Sequence, residues 1–386
     1  MKVFFLVFFL TLILSFVLPA KTDKQWRVKL FWTLLPLCLF GALRVNFGND
    51  YPAYEAIYYE HHDQVSFSFD ETAHSEIGFQ FLCYIIPTFR LLLIFNAVLL
   101  CLALGVFIYN NVPRQYLWLA ILLIFLNPEK NIYGSLVGMR NGFAVITFLF
   151  SFIFIQQRKL IPFLGMLLLA MSMHTSAVFF MPLAYIIGRN GPFSRKEVTW
   201  WIIAGLFILM SSLSGLMEML TPFLTEYFDR YEHYYENFDE GHRGFLLTTT
   251  GIILFVLVFS LTLYNNNTRN KLKRQNTLVH QGISLSINNT KNKLKRQNSL
   301  MRLGLLYVFT TLMGSLSSRA SYFYDMFFIG TVVTLFANNK RTRVSAWVLV
   351  LISIAMSFYS LRLWMTNQYV RGNPLYMIYT SIIGSW

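Results

Sequence analysis

The stretch GMRNGFAVITFLFSFIFIQQRKLIPFLGMLLLAMSMHTS, residues 138–176, contains two apolar runs joined by a short cationic turn. Each run is about long enough for a membrane helix, and a turn between two such helices returns the chain to the side that it left. Arg140 opens the first run and His174 closes the second, so the hairpin predicts both side chains at one membrane face. Ionisable groups near the hydrocarbon boundary are costly to keep there and are functional candidates by default.

The composition predicts an all-α polytopic membrane protein, with residues 1–386 forming a single integral membrane domain. Of the 386 residues, 55% are apolar, 38 are phenylalanine and only 13% are charged. Spans must be helical, because lipid offers no partners to backbone polar groups. The apolar runs predict about twelve spans, with outer-face loops and re-entrant segments between them: 3–19, 30–43, 91–109, 116–126, 142–155, 160–173, 177–188, 198–215, 245–264, 301–317, 322–337 and 344–361.

The distribution of charge predicts the orientation of these spans. With the N-terminus outside, most of the 32 Lys and Arg residues fall in inner loops, whereas Asp23 and Glu197 are the only acids there out of 18. This is the positive-inside pattern, so the net charge of +14 indicates topology and not a nucleic-acid partner. The three cysteines lie in apolar runs without metal or disulfide spacing, which indicates core positions.

Three long segments on the outer face are rich in aromatic residues: 44–77, 216–244 and the C-terminus. Such rings form either an interfacial belt or a sugar-binding surface, and composition leaves both interpretations open. The inner loop 265–300 is a basic cytoplasmic loop with a tandem repeat, in which NTRNKLKRQNTL (267–278) recurs 22 residues later as NTKNKLKRQNSL (289–300). This polar composition is typical of disordered loops, and its cations could contact anionic lipid.

Several ionisable residues are predicted at the outer ends of spans, among them Arg44, Arg140 and Arg319. Arginine keeps its charge and offers a planar fork of donors to phosphate oxygens, so three arginines at one depth suit a lipid-linked diphosphate. A nearby carboxylate or histidine could take a proton from a sugar hydroxyl. The alternative is that each arginine only reaches to headgroup phosphates or pairs with an acid.

These residues also carry a resemblance that spans roughly residues 30 to 360. The motifs resemble those of the EpsG family of exopolysaccharide polymerases, which are related to the Wzy O-antigen polymerases. The matching positions are Arg44, Gly48, Asp50, Tyr51 and Tyr54, then Glu76, Gly78 and Phe79, then Arg140, Gly142 and Ala144, then Ala170, His174 and Ser176, and finally Arg319, Tyr322 and Tyr324. Asn49 and Asn141 stand where the family usually has threonine and glutamine, and both changes leave the neighbouring charge in place.

The resemblance implies a GT-C-like glycosyltransferase of the bacterial cytoplasmic membrane, with its site facing outward. It would transfer a growing glycan from undecaprenyl diphosphate to the next lipid-linked repeat unit, without a metal or another cofactor. A flippase and a chain-length regulator would be further partners, with the lipid bilayer around the enzyme. The implied roles are diphosphate binding by Arg44, Arg140 and Arg319, proton transfer by Asp50 or His174, and sugar binding by Tyr51, Tyr54, Glu76, Tyr322 and Tyr324.

Three other functions remain open. A flippase for lipid-linked sugars would need a similar number of spans, although it should carry charges midway along them. A metal-dependent glycosyltransferase that uses a polyprenyl-phosphate sugar would explain the acidic pair Asp70-Glu71, with His74 and Glu76 nearby. A membrane O-acyltransferase would centre on a buried histidine such as His174, but it would not need three outer arginines.

Overall fold

The computed structural model describes residues 2–48, 50–70, 75–189, 191, 193–213, 252–264, 287–312, 318–371, 380–381 and 384–385. The chain forms two compact units. Unit 1 comprises residues 1–185 and 353–386, and unit 2 comprises residues 186–352.

Unit 1 is built mainly from helices that begin and end at polar or helix-breaking residues. The elements are α1 (Lys2–Val17), α2 (Asp23–Leu43), β1 (Arg44–Val45), α3 (Tyr51–His62), α4 (Ile77–Ile85), α5 (Phe89–Asn111), a 3₁₀ turn (Arg114–Tyr116), α6 (Leu117–Leu126), a π-helix (Glu129–Tyr133), α7 (Gly134–Leu136), α8 (Met139–Gln157), α9 (Leu160–Met173) and α10 (Ala177–Ile187). The chain leaves unit 1 near the end of α10 and returns within α15 (Lys340–Arg371).

Unit 2 contains the remaining helices: α11 (Arg195–Leu213), α12 (Ile252–Tyr264), α13 (Ile287–Leu312) and α14 (Ser318–Asn338). In the part of the chain that the structure describes, four helices are long and apolar enough to cross a membrane, namely Asp23–Leu43, Phe89–Asn111, Met139–Gln157 and Lys340–Phe358. Shorter apolar helices of 10–17 residues accompany them. The prediction of a helical membrane protein is thus confirmed, whereas about twelve spans and a GT-C-like fold stay predictions.

The helices of unit 1 pack through aromatic side chains. The helix α5 lies between α2 and α8, and α8 packs in turn on α9. Phe107 of α5 and Phe152 of α8 place their ring centroids 6.0 Å apart, and Phe95 and Phe143 repeat this contact at the other end of the helices. The predicted hairpin of residues 138–176 is therefore present as α8 and α9.

The helical conformation is interrupted between α9 and α10, at residues 174–176. His174 has an extended backbone, with φ −159° and ψ 125°, and its N–H still donates to the carbonyl of Ala170. Two separate helices therefore lie where the sequence predicted the separate apolar runs 160–173 and 177–188.

A minimal antiparallel sheet interrupts the helical pattern of unit 1. β1 pairs with Thr380–Ser381 (β2), which pairs with Gly384–Ser385 (β3). The turn after β1 contains Gly48 at φ +95°, where a Cβ would lie 2.5 Å from a methyl carbon of Val137. A side chain is excluded there on both counts, so the glycine allows β1 to lead directly into α3.

Unit 2 contains a buried ion pair that fixes the connection between α10 and α11. Arg302 is 1% exposed and donates to both carboxylate oxygens of Glu197, at 2.6 and 2.9 Å. It also donates to the carbonyls of Arg189 and Gly191, and its guanidinium lies over the ring of Phe193. Removing one partner of such a pair costs about 3–5 kcal/mol, because the other charge stays buried.

The second copy of the tandem repeat is helical. The predicted span at 301–317 corresponds to α13, which begins at Ile287 and so includes residues 289–300. Gln297 accepts a hydrogen bond from the Tyr264 hydroxyl at 2.8 Å, and Ser299 donates to the carbonyl of Gly188 at 2.7 Å. Lys295 and Arg296 are exposed. The first copy, at 267–278, and the predicted outer loop 216–244 lie outside the described residues.

Candidate active site

The carboxylate of Glu76 joins two of the predicted functional residues. Its Oε1 lies 2.9 Å from Nδ1 of His174, and its Oε2 accepts from Nη1 of Arg140 at 3.1 Å. The backbone N–H of Thr175 donates to Oε1 at 3.1 Å. All three side chains are largely shielded, with 15% of Glu76, 25% of Arg140 and 9% of His174 exposed. We call Glu76, Arg140, His174 and Tyr54 the Glu76 cluster.

Local structure places Glu76 at the N-terminus of α4. Gln80, one turn later, donates to the carbonyls of Asp70 and Ser75 and accepts from the Asp70 N–H, which fixes the incoming chain. Gly78 lies against α9, and a Cβ there would come within 2.7 Å of the Ser172 carbonyl oxygen. The absence of a side chain at Gly78 thus lets α4 approach the end of α9, so that the Glu76 carboxylate reaches His174.

The other members of the cluster also lie at helix ends. Arg140 is the second residue of α8, and His174 directly follows the last residue of α9. Because α8 and α9 form a hairpin, the start of α8 and the end of α9 meet where α4 begins. Tyr54, on α3, accepts hydrogen bonds from the side chain and the backbone N–H of Arg140. Helix N-termini favour negative charge, so the start of α8 suits a carboxylate or a phosphate.

The electrostatics of the cluster keep Glu76 ionised. Burial raises its pKa, but the hydrogen bond with His174, the charges of Arg140 and His174 and the Thr175 N–H outweigh burial and lower the pKa to about 2. Burial is also the main reason that the pKa of Tyr54 lies above its ordinary value, which the charge of Arg140 offsets only in part. The cluster therefore combines a fixed carboxylate, an oriented imidazole and a guanidinium.

The comparison with known families agrees with these motifs. A family model for the EpsG family matches residues 27–381. The chain belongs to the EpsG family. No curated protein and no solved structure matches it significantly. EpsG membership indicates an exopolysaccharide polymerase of the glycosyltransferase type, which acts in a membrane on lipid-linked oligosaccharide.

Among the other predicted EpsG residues, Arg44 is embedded in unit 1. It is 1% exposed, and its Nη1 donates to the Gly41 carbonyl at 2.5 Å. Its Nη2 donates to Oδ1 of Asn96 at 3.1 Å and to the Leu136 carbonyl at 2.9 Å. These bonds join α2, α5 and α7, so Arg44 acts as a cross-link within the scaffold.

Asp50 directly precedes α3, and Tyr51 is the first residue of that helix. Asp50 is exposed, whereas Tyr51 is 8% exposed and contacts the ring of Phe89 edge-on at 5.3 Å. Asp50 and His174 both stay predicted proton acceptors. The structure shows how His174 is oriented, since its Nδ1 lies 2.9 Å from the carboxylate of Glu76.

The remaining predicted EpsG residues lie in unit 2 or outside the described part. Arg319 belongs to α14, and its side chain is outside the description. Tyr322 is half-buried on the same helix, and Tyr324 is fully buried. Of the alternative metal site, Glu71 and His74 lie outside the described residues, and the backbone of Asp70 is bound to Gln80.

Sequence reasoning missed how the cluster is connected. It assigned Glu76 and Tyr54 to sugar binding, whereas in this EpsG chain Glu76 binds Arg140 and His174, and Tyr54 binds Arg140. The sequence held no signal for this connection: Gly78 lets α4 approach Ser172 of α9, but a glycine in a sequence does not name the helix that it approaches.

Glu76 predicts a specific pH dependence of stability. Its pKa is depressed from 4.5 to about 2 in the folded protein, so its contribution is fully present above pH 4.5 and is lost as the pH falls toward 2. The loss amounts to about 3 kcal/mol of unfolding free energy. Denaturant unfolding of the purified protein in detergent at pH 6 and pH 3 should show about 2 kcal/mol of this loss, because at pH 3 the folded carboxylate is still mostly ionised.

The control variants separate Glu76 from the other carboxylates. Glu76→Gln should lose less stability than the wild type between pH 6 and pH 3, whereas exposed Glu60→Gln should keep the wild-type dependence. An unchanged pH dependence in Glu76→Gln would contradict the assignment.

Proposed function

We propose that the chain is a polysaccharide polymerase, which transfers a growing glycan from undecaprenyl diphosphate to a hydroxyl of the next lipid-linked repeat unit. The observation that supports this best is that one carboxylate, Glu76, holds an imidazole and a guanidinium side by side. Glycosyl transfer from a diphosphate needs a base for the attacking hydroxyl and positive charge at the leaving group. The Glu76 cluster offers both.

In the proposed reaction His174 is the base. The acceptor hydroxyl forms a bond to the anomeric carbon of the donor, the bond from that carbon to the diphosphate breaks, and the hydroxyl proton passes to Nε2 of His174. Glu76 binds Nδ1, which sets the tautomer and stabilises the imidazolium that forms. Glu76 is therefore a positioning residue, and His174 is the catalytic residue.

Arg140 takes the diphosphate in this proposal. The charge that develops on the leaving oxygen needs donors that are already in place, and a guanidinium held by Glu76 and Tyr54 loses little freedom on binding. Arg319 remains a further diphosphate ligand by sequence prediction. We leave out Arg44, whose terminal nitrogens bind protein acceptors, and Tyr324, whose buried ring offers no face to a sugar.

Placement at the outer face of the bacterial cytoplasmic membrane is also part of the proposal. It is supported by the positive-inside distribution of charge, which puts the turn between α8 and α9 inside and the Glu76 cluster at the opposite end. The cluster lies at helix ends, whereas a flippase would carry its charges along the middle of its spans. The position of the cluster therefore favours surface chemistry over transport.

A direct assay tests the proposed function. Purified protein in nanodiscs is incubated with undecaprenyl-diphosphate repeat units from its host, with and without a chelator, and the products are separated on a gel. We expect a ladder of polymer that is lost in His174→Gln and kept in His62→Gln, a half-buried histidine outside the cluster. Loss of the ladder with chelator alone would favour the metal-dependent alternative.

The same preparation distinguishes the flippase. The wild-type protein is reconstituted into vesicles that contain fluorescent lipid-linked sugar, and a quencher reports the lipid in the outer leaflet. Transbilayer movement without any ladder would overturn the polymerase proposal.

A further inference from the structure

Arg90, another arginine of unit 1, has a guanidinium nitrogen without a protein acceptor among the described residues, unlike Arg44. Arg90 is the second residue of α5, and its Nη1 donates to the backbone carbonyl of Arg44 at 2.7 Å. This bond fixes the guanidinium against the end of α2. Its Nη2 is buried, and it has no hydrogen-bond partner among the residues that the structure describes.

A buried guanidinium nitrogen without an acceptor is unusual. Native proteins pair most buried polar groups, and an unpaired charged donor is more costly than a neutral one. An anion that binds from outside the protein would remove this cost. The fixed Nη1 and the unpaired Nη2 thus describe a guanidinium that is oriented for a ligand before the ligand arrives.

The position of Arg90 relates it to the Glu76 cluster through α3. Tyr51 contacts Phe89, the neighbour of Arg90, and it lies within electrostatic range of Arg90 itself. Tyr54 binds Arg140. Tyr51 and Tyr54 are three residues apart on a helix and so lie on one face. The two tyrosines of the Asp50-Tyr51-x-x-Tyr54 motif therefore lie near different arginines, with Tyr51 near Arg90 and Arg44 and Tyr54 bound to Arg140.

We propose that Arg90 is a second anion-binding residue of unit 1, whose Nη2 donates to a phosphate oxygen of a lipid-linked diphosphate. The identity of this ligand rests on the proposed function. Arg140 and Arg90 would then hold anions at opposite ends of the Tyr51–Tyr54 face. A transferase with two lipid-linked substrates has a use for two such sites, since the donor and the acceptor each carry a diphosphate.

Binding measurements test Arg90 without requiring polymerisation. Protein in nanodiscs is titrated with undecaprenyl diphosphate that carries no sugar, and in parallel with uncharged undecaprenol. We expect Arg90→Gln to weaken diphosphate binding at least tenfold and Arg90→Lys to restore part of it, with undecaprenol binding unchanged in both. The matched control is Arg27→Gln, an arginine whose side chain is 71% exposed, and it should bind like the wild type.

Two results would overturn the role of Arg90. One is diphosphate binding by Arg90→Gln that equals the wild type, which would mean that water satisfies Nη2. The other is an equal loss of diphosphate and undecaprenol binding together with a lower melting temperature, which marks a structural residue. The two proposals can also fail separately. If the wild-type protein binds the diphosphate through Arg90 but forms no polymer ladder, the polymerase proposal is wrong and the anion site at Arg90 stands.

Kinetics then identify the source of the diphosphate. With donor and acceptor repeat units varied separately, Arg90→Gln should raise one of the two KM values at least fivefold. A raised KM for the donor assigns Arg90 to the leaving diphosphate, and a raised KM for the acceptor assigns it to the incoming lipid. Unchanged KM values for both would refute the site.

Discussion

Replacing Glu76 by glutamine is expected to lower polymer formation by about 10²–10⁴-fold, the range that a positioned general base contributes. Glutamine keeps the shape of the side chain but has one acceptor and one donor group in place of two acceptors. It cannot accept from both Nδ1 of His174 and Nη1 of Arg140, which Glu76 binds at 2.9 and 3.1 Å. The imidazole then loses its fixed tautomer, and the guanidinium loses its anchor.

The kinetic pattern separates positioning from substrate binding. If Glu76 acts through His174 and Arg140, kcat should fall while KM for the lipid-linked substrate stays within about twofold. Glu76→Asp keeps two acceptors on a shorter stem and should recover part of the activity. Exposed Glu60→Gln on α3 is the matched control and should be unaffected. A Glu76→Gln enzyme with more than about a tenth of wild-type activity would move the base to Asp50.

The sequence predicted the hairpin that underlies the site. Two apolar runs separated by the short QQRK turn predict a hairpin, and the structure contains α8 and α9 in contact with each other. It was therefore possible to predict that Arg140 and His174 lie at the same end. The roles of Arg140 and His174 in the reaction stay predictions, since an ionisable side chain at the end of an apolar helix is a functional candidate and no more.

The partner that joins Arg140 and His174 was not predictable. Glu76 is 64 residues before Arg140 and 98 residues before His174 in the sequence. Helical periodicity describes neighbours within about four residues, so it carries no information on such contacts. The assignment of Glu76 to sugar binding came from the resemblance to the EpsG family. Its actual contacts depend on the close approach of α4 to α9 at Gly78, which is a tertiary property.

The hydrogen bonds of Arg44 were not predictable from the sequence either. An arginine at a helix end looks the same in sequence whether it faces a ligand or binds the protein. The acceptors at Gly41 and Leu136 are backbone carbonyls, and backbone acceptors leave no trace in the residue pattern. Arg44 and Arg90 both lie at helix ends, yet both terminal nitrogens of Arg44 have acceptors, whereas Nη2 of Arg90 has none among the described residues. Only the structure separates the two.

The count of spans was uncertain for a physical reason as well. Several apolar helices here have 10–17 residues, shorter than the roughly 20 residues that cross a bilayer. Hydropathy alone cannot say whether such a helix spans, tilts or re-enters. The break at residues 174–176 was predictable because His174-Thr-Ser interrupts the apolar run with three polar residues.

Arg140→Lys is expected to reduce kcat by about 10²–10³-fold, the range for losing a preorganised donor at a developing negative charge. Lysine keeps the charge and can pair with Glu76, so the protein should stay folded. It is a point charge on a flexible stem and cannot bind Glu76, Tyr54 and a phosphate in the fixed fork geometry of a guanidinium. Arg140→Met should be worse, because it also leaves the shielded Glu76 carboxylate without its arginine and lowers the melting temperature.

Arg158 provides the matched control for Arg140. It follows the last residue of the same helix, at the opposite end, where it donates to the Tyr185 carbonyl and lies over the Tyr185 ring at 4.3 Å. Arg158→Lys should therefore change stability slightly and leave the polymer ladder intact. If Arg140→Lys and Arg158→Lys lose the same activity, the loss reflects the stability of α8, and Arg140 has no special role at the diphosphate. If Arg140→Lys alone is inactive and still folded, charge is insufficient at this position, and the geometry of the guanidinium is what the reaction requires.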